Sequence, residues 1–160
     1  LGFSGHVRPS SKITVQVGSR GGYSTKIRLR TDFDGHPLAF KIIGGEKADA
    51  PINETLLRLG PDTTPRAVVA DKGYDSRANR TAARACGAVA VIPQKANAAA
   101  PAKHFAHALY RGRPRIEQAV GKLKRFKRIA LRCEKTKANL ASFTALALGF
   151  ILVQFVHTAY

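Results

Sequence analysis

The chain has 160 residues, of which 27 are Lys or Arg and only 10 are Asp or Glu, so its formal net charge is +17. A hydrophobic fraction of 44% excludes a disordered chain, and the length allows one domain with a real core. Cys86 and Cys133 lack the spacing of a zinc site, which indicates reduced residues. The charge predicts a polyanionic partner, with nucleic acid favoured over an acidic membrane.

The N-terminal segment gives only weak signals. Residues 1–24 are polar and rich in glycine, with a strand-like patch at Ile13–Val17, so we expect loop or irregular structure there. We therefore predict an irregular lead at residues 1–17 and one domain over residues 18–160.

A β-hairpin is the first strong signal along the chain. Polar and apolar residues alternate in Thr25–Thr31 and again in Pro37–Ile43, and Asp34-Gly35 lies between the two runs. Two period-2 runs around Asp-Gly predict two antiparallel strands joined by a turn.

Helices and short strands alternate after the hairpin. The predicted elements are a helix at Pro51–Gly60, a buried strand at Ala67–Ala70, a helix at Asp75–Gly87, a buried strand at Ala88–Pro93, a linker at Gln94–Leu109 and a basic helix that begins near Pro114. Asp75 or Ser76 is the predicted N-cap of the second of these helices. This order predicts a mixed α/β sheet with helices on its faces.

The C-terminal third divides sharply by charge. Eleven Lys or Arg and two acids lie between Arg111 and Lys137, whereas the segment Ala138–Tyr160 contains no Lys, Arg, Asp or Glu. We interpret this pattern as a DNA-facing helix followed by a buried helix. The tail is nearly long enough to span a membrane, so a basic membrane-surface protein is a competing hypothesis. Polar residues inside the tail, such as Asn139 and Gln154, favour a helix packed against the sheet.

Asp71 is the first candidate for chemistry. It directly follows the apolar run AVVA, and the carboxyl ends of strands in open α/β sheets are where ligands and catalytic groups lie. Asp71 is equally suited to closing a turn, because Asp-x-Gly is common turn chemistry. Position alone leaves both interpretations open.

Glu117 is an acid within a basic helix. At about 100° per residue, Arg113, Glu117 and Lys124 fall on one stripe. A carboxylate in the first turn complements the helix dipole, but one acid on a basic stripe also indicates a metal ligand beside phosphate-binding bases. Two-metal phosphodiester chemistry uses Asp and Glu oxygens and needs at least three carboxylates. Asp71 and Glu117 provide two.

At these residues the chain resembles the DDE transposases of bacterial insertion sequences, in the IS-four/IS-five group. The segment ADKGYDS is similar to the segment around the second aspartate of that family. The family signature of Tyr, two residues, Arg, three residues, Glu, six residues and Lys is reproduced by Tyr110, Arg113, Glu117 and Lys124. The resemblance covers the chain from Gly18 to the C-terminus.

The resemblance implies an RNase H-like fold, in which the hairpin forms the second and third strands and AVVAD the fourth. Asp71 and Glu117 would be the second and third catalytic acids and would bind Mg²⁺ or Mn²⁺. Double-stranded DNA would be the partner, at transposon ends and target. The chain would act as an oligomer on DNA in the bacterial cytoplasm, away from membranes. The implied DNA contacts are Tyr110, Arg113, Lys122, Lys124 and Arg125.

The chain departs from the family at the first aspartate. In the family this acid lies on the first strand, upstream of the segment SRGG, but the residues before Gly18 include no Asp or Glu. Asp32 and Asp34 are poor substitutes, because the hairpin turn puts them at the wrong end of a strand. We therefore expect a catalytic domain that is incomplete at its N-terminus and inactive alone, either the downstream part of a split reading frame or a decayed remnant. The alternative function is a non-catalytic basic DNA-binding module.

Overall fold

A computed structural model describes residues 10–17, 25–45, 53–60, 65–95 and 105–157 of the chain. The strands are β1 (Ser10–Val17), β2 (Thr25–Asp32), β3 (Pro37–Gly44), β4 (Ala67–Val69) and β5 (Val89–Val91). The helices are α1 (Asn53–Arg58), α2 (Arg77–Ala85), α3 (His107–Tyr110), α4 (Arg113–Lys124), α5 (Lys127–Ala130) and α6 (Lys137–His157). The segment SRGG and residues 96–104 of the predicted linker lie outside the described residues, and α3 forms where the rest of that linker was expected.

The five strands form one mixed sheet in the order β3-β2-β1-β4-β5. β1, β2 and β3 are antiparallel neighbours, whereas β4 runs parallel to both β1 and β5. This arrangement confirms the predicted RNase H-like sheet, with the hairpin as its second and third strands and AVV as its fourth.

β1 corrects the expectation for the N-terminal segment. Irregular structure was expected through Ser24, but Ser10–Val17 forms the central strand of the sheet. It pairs with β2 over its whole length, from Ser10 opposite Asp32 to Val17 opposite Thr25. The sequence SSKITVQV gives only a weak local signal, and one of its two pairing partners, β4, lies far along the chain. The boundary between residues 17 and 18 stays a prediction about domain organisation.

Helices cover both faces of the sheet. α1 and α2 pack against one face, where Leu57, Val68 and Ala83 are buried together. α4, α5 and α6 pack against the other face in the largest core cluster. That cluster contains Ile27, Leu29, Ile42, Ala119, Leu123, Ile129, Leu140, Ala147, Leu148 and Ile151.

The alternation in β2 does not separate core from solvent. Ile27 and Leu29 face the large core as expected, but Arg28 and Arg30 on the opposite face are also buried. Arg30 donates hydrogen bonds of 2.8 Å to the carbonyl oxygens of Leu57 and Leu59. These carbonyls lie at the end of α1, where helix carbonyls lack partners within the helix. Burial lowers the pKa of the Arg30 guanidinium from its ordinary value.

α6 is the predicted apolar helix. Among the described residues, Lys137–Phe155 is the helix whose length and mean hydropathy of 1.7 would suit a membrane span. Leu140, Ala147 and Ile151 are nevertheless buried in the large core, which is the packing predicted for a helix on the sheet. Leu146, Phe150 and Val153 remain exposed on its outer side.

Two residues fix the local backbone geometry: Gly35 in the hairpin turn and Ser76 at the start of α2. Gly35 in the hairpin turn has φ of +90° and lies so close to α4 that a Cβ atom there would be 2.8 Å from the carbonyl oxygen of Arg115. Glycine is therefore required at this turn for both its conformation and its size. Ser76, rather than Asp75, is the N-cap of α2, and its hydroxyl accepts from the backbone N–H of Asn79 at 3.2 Å.

Candidate active site

Asp71 lies just beyond the carboxyl end of β4. β4 is buried along its length, and the chain leaves it through Ala70 into a short 3-10 turn at Lys72–Tyr74. The backbone N–H of Tyr74 donates to the carbonyl oxygen of Asp71 at 2.9 Å. The turn interpretation is therefore correct for the backbone, while the carboxylate itself is 37% exposed. The backbone of Asp71 therefore closes a turn, and the catalytic interpretation of its carboxylate stays a prediction.

Glu117 reaches the same region from α4. Ile116, Ala119 and Leu123 anchor one side of α4 in the interior, which leaves Glu117 on the outer side with 56% of its side chain exposed. α4 packs across β1, the neighbour of β4. This packing brings the first turns of α4 to the edge of the sheet where β4 ends.

Arg113 joins the two carboxylates. Its Nε lies 2.5 Å from Oδ1 of Asp71, and its Nη1 lies 3.0 Å from Oε1 of Glu117. The close contact with the Asp71 carboxylate raises the pKa of the Arg113 guanidinium above its ordinary value, and the charge of Glu117 adds to this effect. The two predicted metal ligands therefore come close enough to share one cation. The predicted helical stripe is confirmed for its Arg113–Glu117 pair.

The other predicted DNA-contact residues are placed differently. Tyr110 is half-buried, its ring centroid 5.3 Å from that of Phe105, and it lines a cavity of about 780 Å³ together with Lys72. Lys124 and Arg125 are exposed at the far end of α4. The ammonium of Lys122 lies 3.6 Å from the ring centroid of Phe155 in α6. Lys122 therefore faces α6 and is held by a cation–π contact.

A second acidic cluster, at the hairpin turn, was not predicted as a unit. Ligand atoms of Asp32, Asp34 and His36 lie within 4.8 Å of one another. Oδ1 of Asp32 accepts from the backbone N–H groups of Asp34 and His36 at 2.9 Å each, and Oδ2 lies 2.7 Å from Nδ1 of His36. Asp34 forms an ion pair with Arg115 at 3.0 Å. These contacts explain the cluster as turn structure, and the spacing Asp-x-Asp-x-His was its sequence signal.

Asp75, which lies between β4 and α2, is a carboxylate held by structural hydrogen bonds. Its Oδ1 accepts from Nη2 of Arg80 at 2.8 Å, and its Oδ2 accepts from the backbone N–H of Lys95 at 2.8 Å. Burial raises the pKa of the Asp75 carboxyl, but the hydrogen bonds from Lys95 and Arg80 lower it by more, so the net shift is downward. Asp75 therefore ties α2 to the segment after β5.

Asp71 and Glu117 fit two of the ligands that a magnesium site needs. Their oxygens are the hard donors that Mg²⁺ prefers, both are partly exposed, and both already contact one shared cation. A two-metal site requires a further carboxylate, and β1, whose sequence is SSKITVQV, carries none. The residues present therefore fit part of such a site.

The chain is similar in sequence to known transposases. Residues 8–152 match the family described as "Transposase DDE domain". A putative transposase for insertion sequence element IS6501 from Brucella ovis is 34% identical over 132 residues, which cover 80% of this chain and 97% of that protein. A solved structure of the Mos1 transposase catalytic domain with raltegravir and Mg is 12% identical, with a TM-score of 0.44, over 72% of this chain and 81% of that one.

Proposed function

The chain belongs to the DDE transposase family, and on that premise we propose that it is the C-terminal portion of a catalytic domain that cleaves and joins transposon-end DNA. An upstream segment would supply the first aspartate. We expect the complete enzyme to work as an oligomer on double-stranded DNA in the bacterial cytoplasm, and this chain alone to be inactive in strand transfer.

Asp71 and Glu117 would hold two divalent ions, Mg²⁺ or Mn²⁺, together with the upstream aspartate. The bound ions would supply activation of the attacking oxygen and stabilisation of the leaving oxygen. Tyr110, at the start of the same region, would contact the transposon end. The basic side chains of α4 and its C-cap would bind DNA phosphates. Such contacts position the protein on the DNA but do not read the base sequence directly. Lys124 and Arg125 have the exposure that such contacts require.

One observation carries the proposal. A carboxylate from the end of β4 and a carboxylate from the outer face of α4 converge on the single guanidinium of Arg113. Both carboxylates are partly exposed and offer oxygen ligands to a divalent ion, and the net charge of +17 suits a polyanionic partner.

Strand transfer on a transposon-end duplex with Mn²⁺ tests the proposal. The chain would be assayed alone and fused to an upstream segment that carries an Asp, with Asp71→Asn and Glu117→Gln made in the active fusion. We expect each substitution to reduce the rate by at least about a hundredfold, because even groups that only support metal ligands cost up to that much. Asp34→Asn is the matched control, because it removes one negative charge at the hairpin cluster instead.

A non-catalytic DNA-binding module is the second candidate. It is favoured by the sequence of β1, which contains no Asp or Glu. β1 is the strand that pairs with β4, the strand that Asp71 follows. Such a module would be silent both alone and as the fusion, yet would bind DNA with an affinity that falls steeply with salt. Strand transfer by the isolated chain would contradict both candidates, because each assigns it no independent activity.

A further inference from the structure

We propose that Arg113 couples metal binding to DNA binding by exchanging one anionic partner for another. Without metal its guanidinium holds Asp71 and Glu117, and a metal ion at these carboxylates releases it to a DNA phosphate. The inference rests on the proposed metal site and adds a regulatory role for a residue that the family signature only associates with DNA.

Competition follows from the contacts. Both carboxylates place an oxygen within 3.0 Å of nitrogens of the same guanidinium. A divalent ion that binds these oxygens replaces a monovalent cation, and the two cations then repel each other at short range. Metal binding must therefore break one or both ion pairs of Arg113, which lowers the apparent metal affinity of the free chain.

Release is feasible because only a side chain has to move. Arg113 is the first residue of α4, and its side chain is 30% exposed. Its flexible methylene stem allows the guanidinium to turn outward while the helix stays in place. The acids that contact it are Asp71 and Glu117, so an outward rotation leaves both carboxylates for the metal.

The charge of the site changes sign in the same step. Two carboxylates and one guanidinium are net negative and repel a phosphate, whereas the same groups with one divalent ion are net positive. DNA binding and metal binding should therefore favour each other, and the coupling must be equal in both directions. Arg113 adds a directed phosphate contact that a general change of charge does not provide.

The first test is Mn²⁺ binding to the purified chain, measured by the electron paramagnetic resonance signal of free Mn²⁺. We expect Arg113→Gln to bind Mn²⁺ at least about fivefold more tightly than the wild type, the lower end of typical coupling between sites. Arg115→Gln is the matched control. Arg115 lies two positions away on the same helix and pairs with Asp34, so its loss removes the same charge without freeing the site.

The second test is the salt dependence of binding to a short DNA duplex, measured by fluorescence anisotropy with and without Mn²⁺. Each phosphate contact contributes about 0.9 to the slope of log K against log salt. Without metal we expect equal slopes for wild type and Arg113→Gln. With Mn²⁺ the slope of the wild type should exceed that of Arg113→Gln by about 0.9. Arg115→Gln should exceed Arg113→Gln by the same amount as the wild type does.

The outcomes separate this inference from the proposed function. Equal or weaker Mn²⁺ binding by Arg113→Gln, with binding that still depends on Asp71, would overturn the coupling and leave the metal site standing. Absence of Mn²⁺ binding from the wild type and from every variant would overturn the coupling, while strand transfer by the fusion would still decide the proposed function. A salt slope that differs between wild type and Arg113→Gln by the same amount with and without Mn²⁺ would show that Arg113 contacts DNA regardless of metal, which also overturns the coupling.

Discussion

Two pairs of acids lie beside the same helix, and each pair has an arginine from the first turn of α4. Asp71 and Glu117 share Arg113, whereas Asp34 at the hairpin pairs with Arg115. The hairpin pair has additional partners, because Asp32 accepts two backbone N–H groups and contacts the ring of His36. Among the contacts described above, the carboxylates of the first pair are held chiefly by one exchangeable side chain.

The difference separates structural acids from acids available for chemistry. Carboxylates whose oxygens accept local backbone hydrogen bonds are committed to the fold, since exchanging those partners would open the turn. Carboxylates that meet at a single, partly exposed guanidinium can exchange it for another cation without opening a turn. Proximity and charge alone, which both clusters have, do not distinguish them.

We expect the largest change in the free energy of unfolding from a substitution in the hairpin turn. Asp32→Ala should lower the free energy of unfolding by about 2–3 kcal/mol, because the turn loses hydrogen bonds to a charged acceptor. Urea unfolding measures the loss. Asp32→Asn keeps an acceptor for the backbone N–H groups and should recover part of it. A change below about 0.5 kcal/mol for Asp32→Ala would place Asp32 among ordinary surface residues.

Asp75 is a second structural acid, and its contribution to the free energy of unfolding should depend on pH. Asp75→Asn should lower the free energy of unfolding at pH 7 by about 1–2 kcal/mol through the bonds to Arg80 and Lys95. The folded-state pKa of Asp75 is lowered, so its stabilisation is present above the unfolded pKa of about 4 and is lost as pH falls through the folded value. Urea unfolding at pH 7 and pH 3 should show the two proteins converging. A difference that stays constant would contradict the ionic role.

Divalent metal should stabilise the folded chain only by binding to Asp71 and Glu117. At about ten times its Kd, Mn²⁺ should raise the free energy of unfolding by about 1.4 kcal/mol. The increase should disappear in Asp71→Asn combined with Glu117→Gln and persist in Asp32→Asn. Thermal unfolding with and without Mn²⁺ measures it. Loss of the increase in Asp32→Asn alone would instead assign metal binding to the hairpin cluster.

The smallest expected effect is on the metal-free fold at Asp71. Asp71→Asn should change the free energy of unfolding by no more than about 0.5 kcal/mol, because partly exposed ion pairs contribute little. Urea unfolding without divalent ions is the measurement, with Ser76→Ala as a positive control, since loss of this N-cap should cost about 1 kcal/mol. A cost for Asp71→Asn as large as that of the cap would mean that the ion pair with Arg113 is structural.

Elements with local signals could be predicted from the sequence. The hairpin followed from Asp34-Gly35, the start of α2 from its capping residues, and the stripe on α4 from the spacing of Arg113 and Glu117. β1 could not be predicted in the same way, because its own apolar pattern is short and its central position depends on pairing with β4, which comes much later in the chain. The contact between Asp71 and Arg113 was missed for the same reason, since it depends on how α4 packs across the sheet.

The central position of β1 also has a consequence for folding during synthesis. β1, β2 and β3 lie within residues 10–44 and can pair as a local meander, whereas Ser10 finds its partner Val68 only much later in translation. Contacts between neighbouring segments form faster than distant ones, so we expect the meander to form first. Until β4 arrives, one edge of β1 has open hydrogen-bonding groups, which are a template for a strand from another chain. Products truncated after β3 should therefore tend to exchange strands or aggregate.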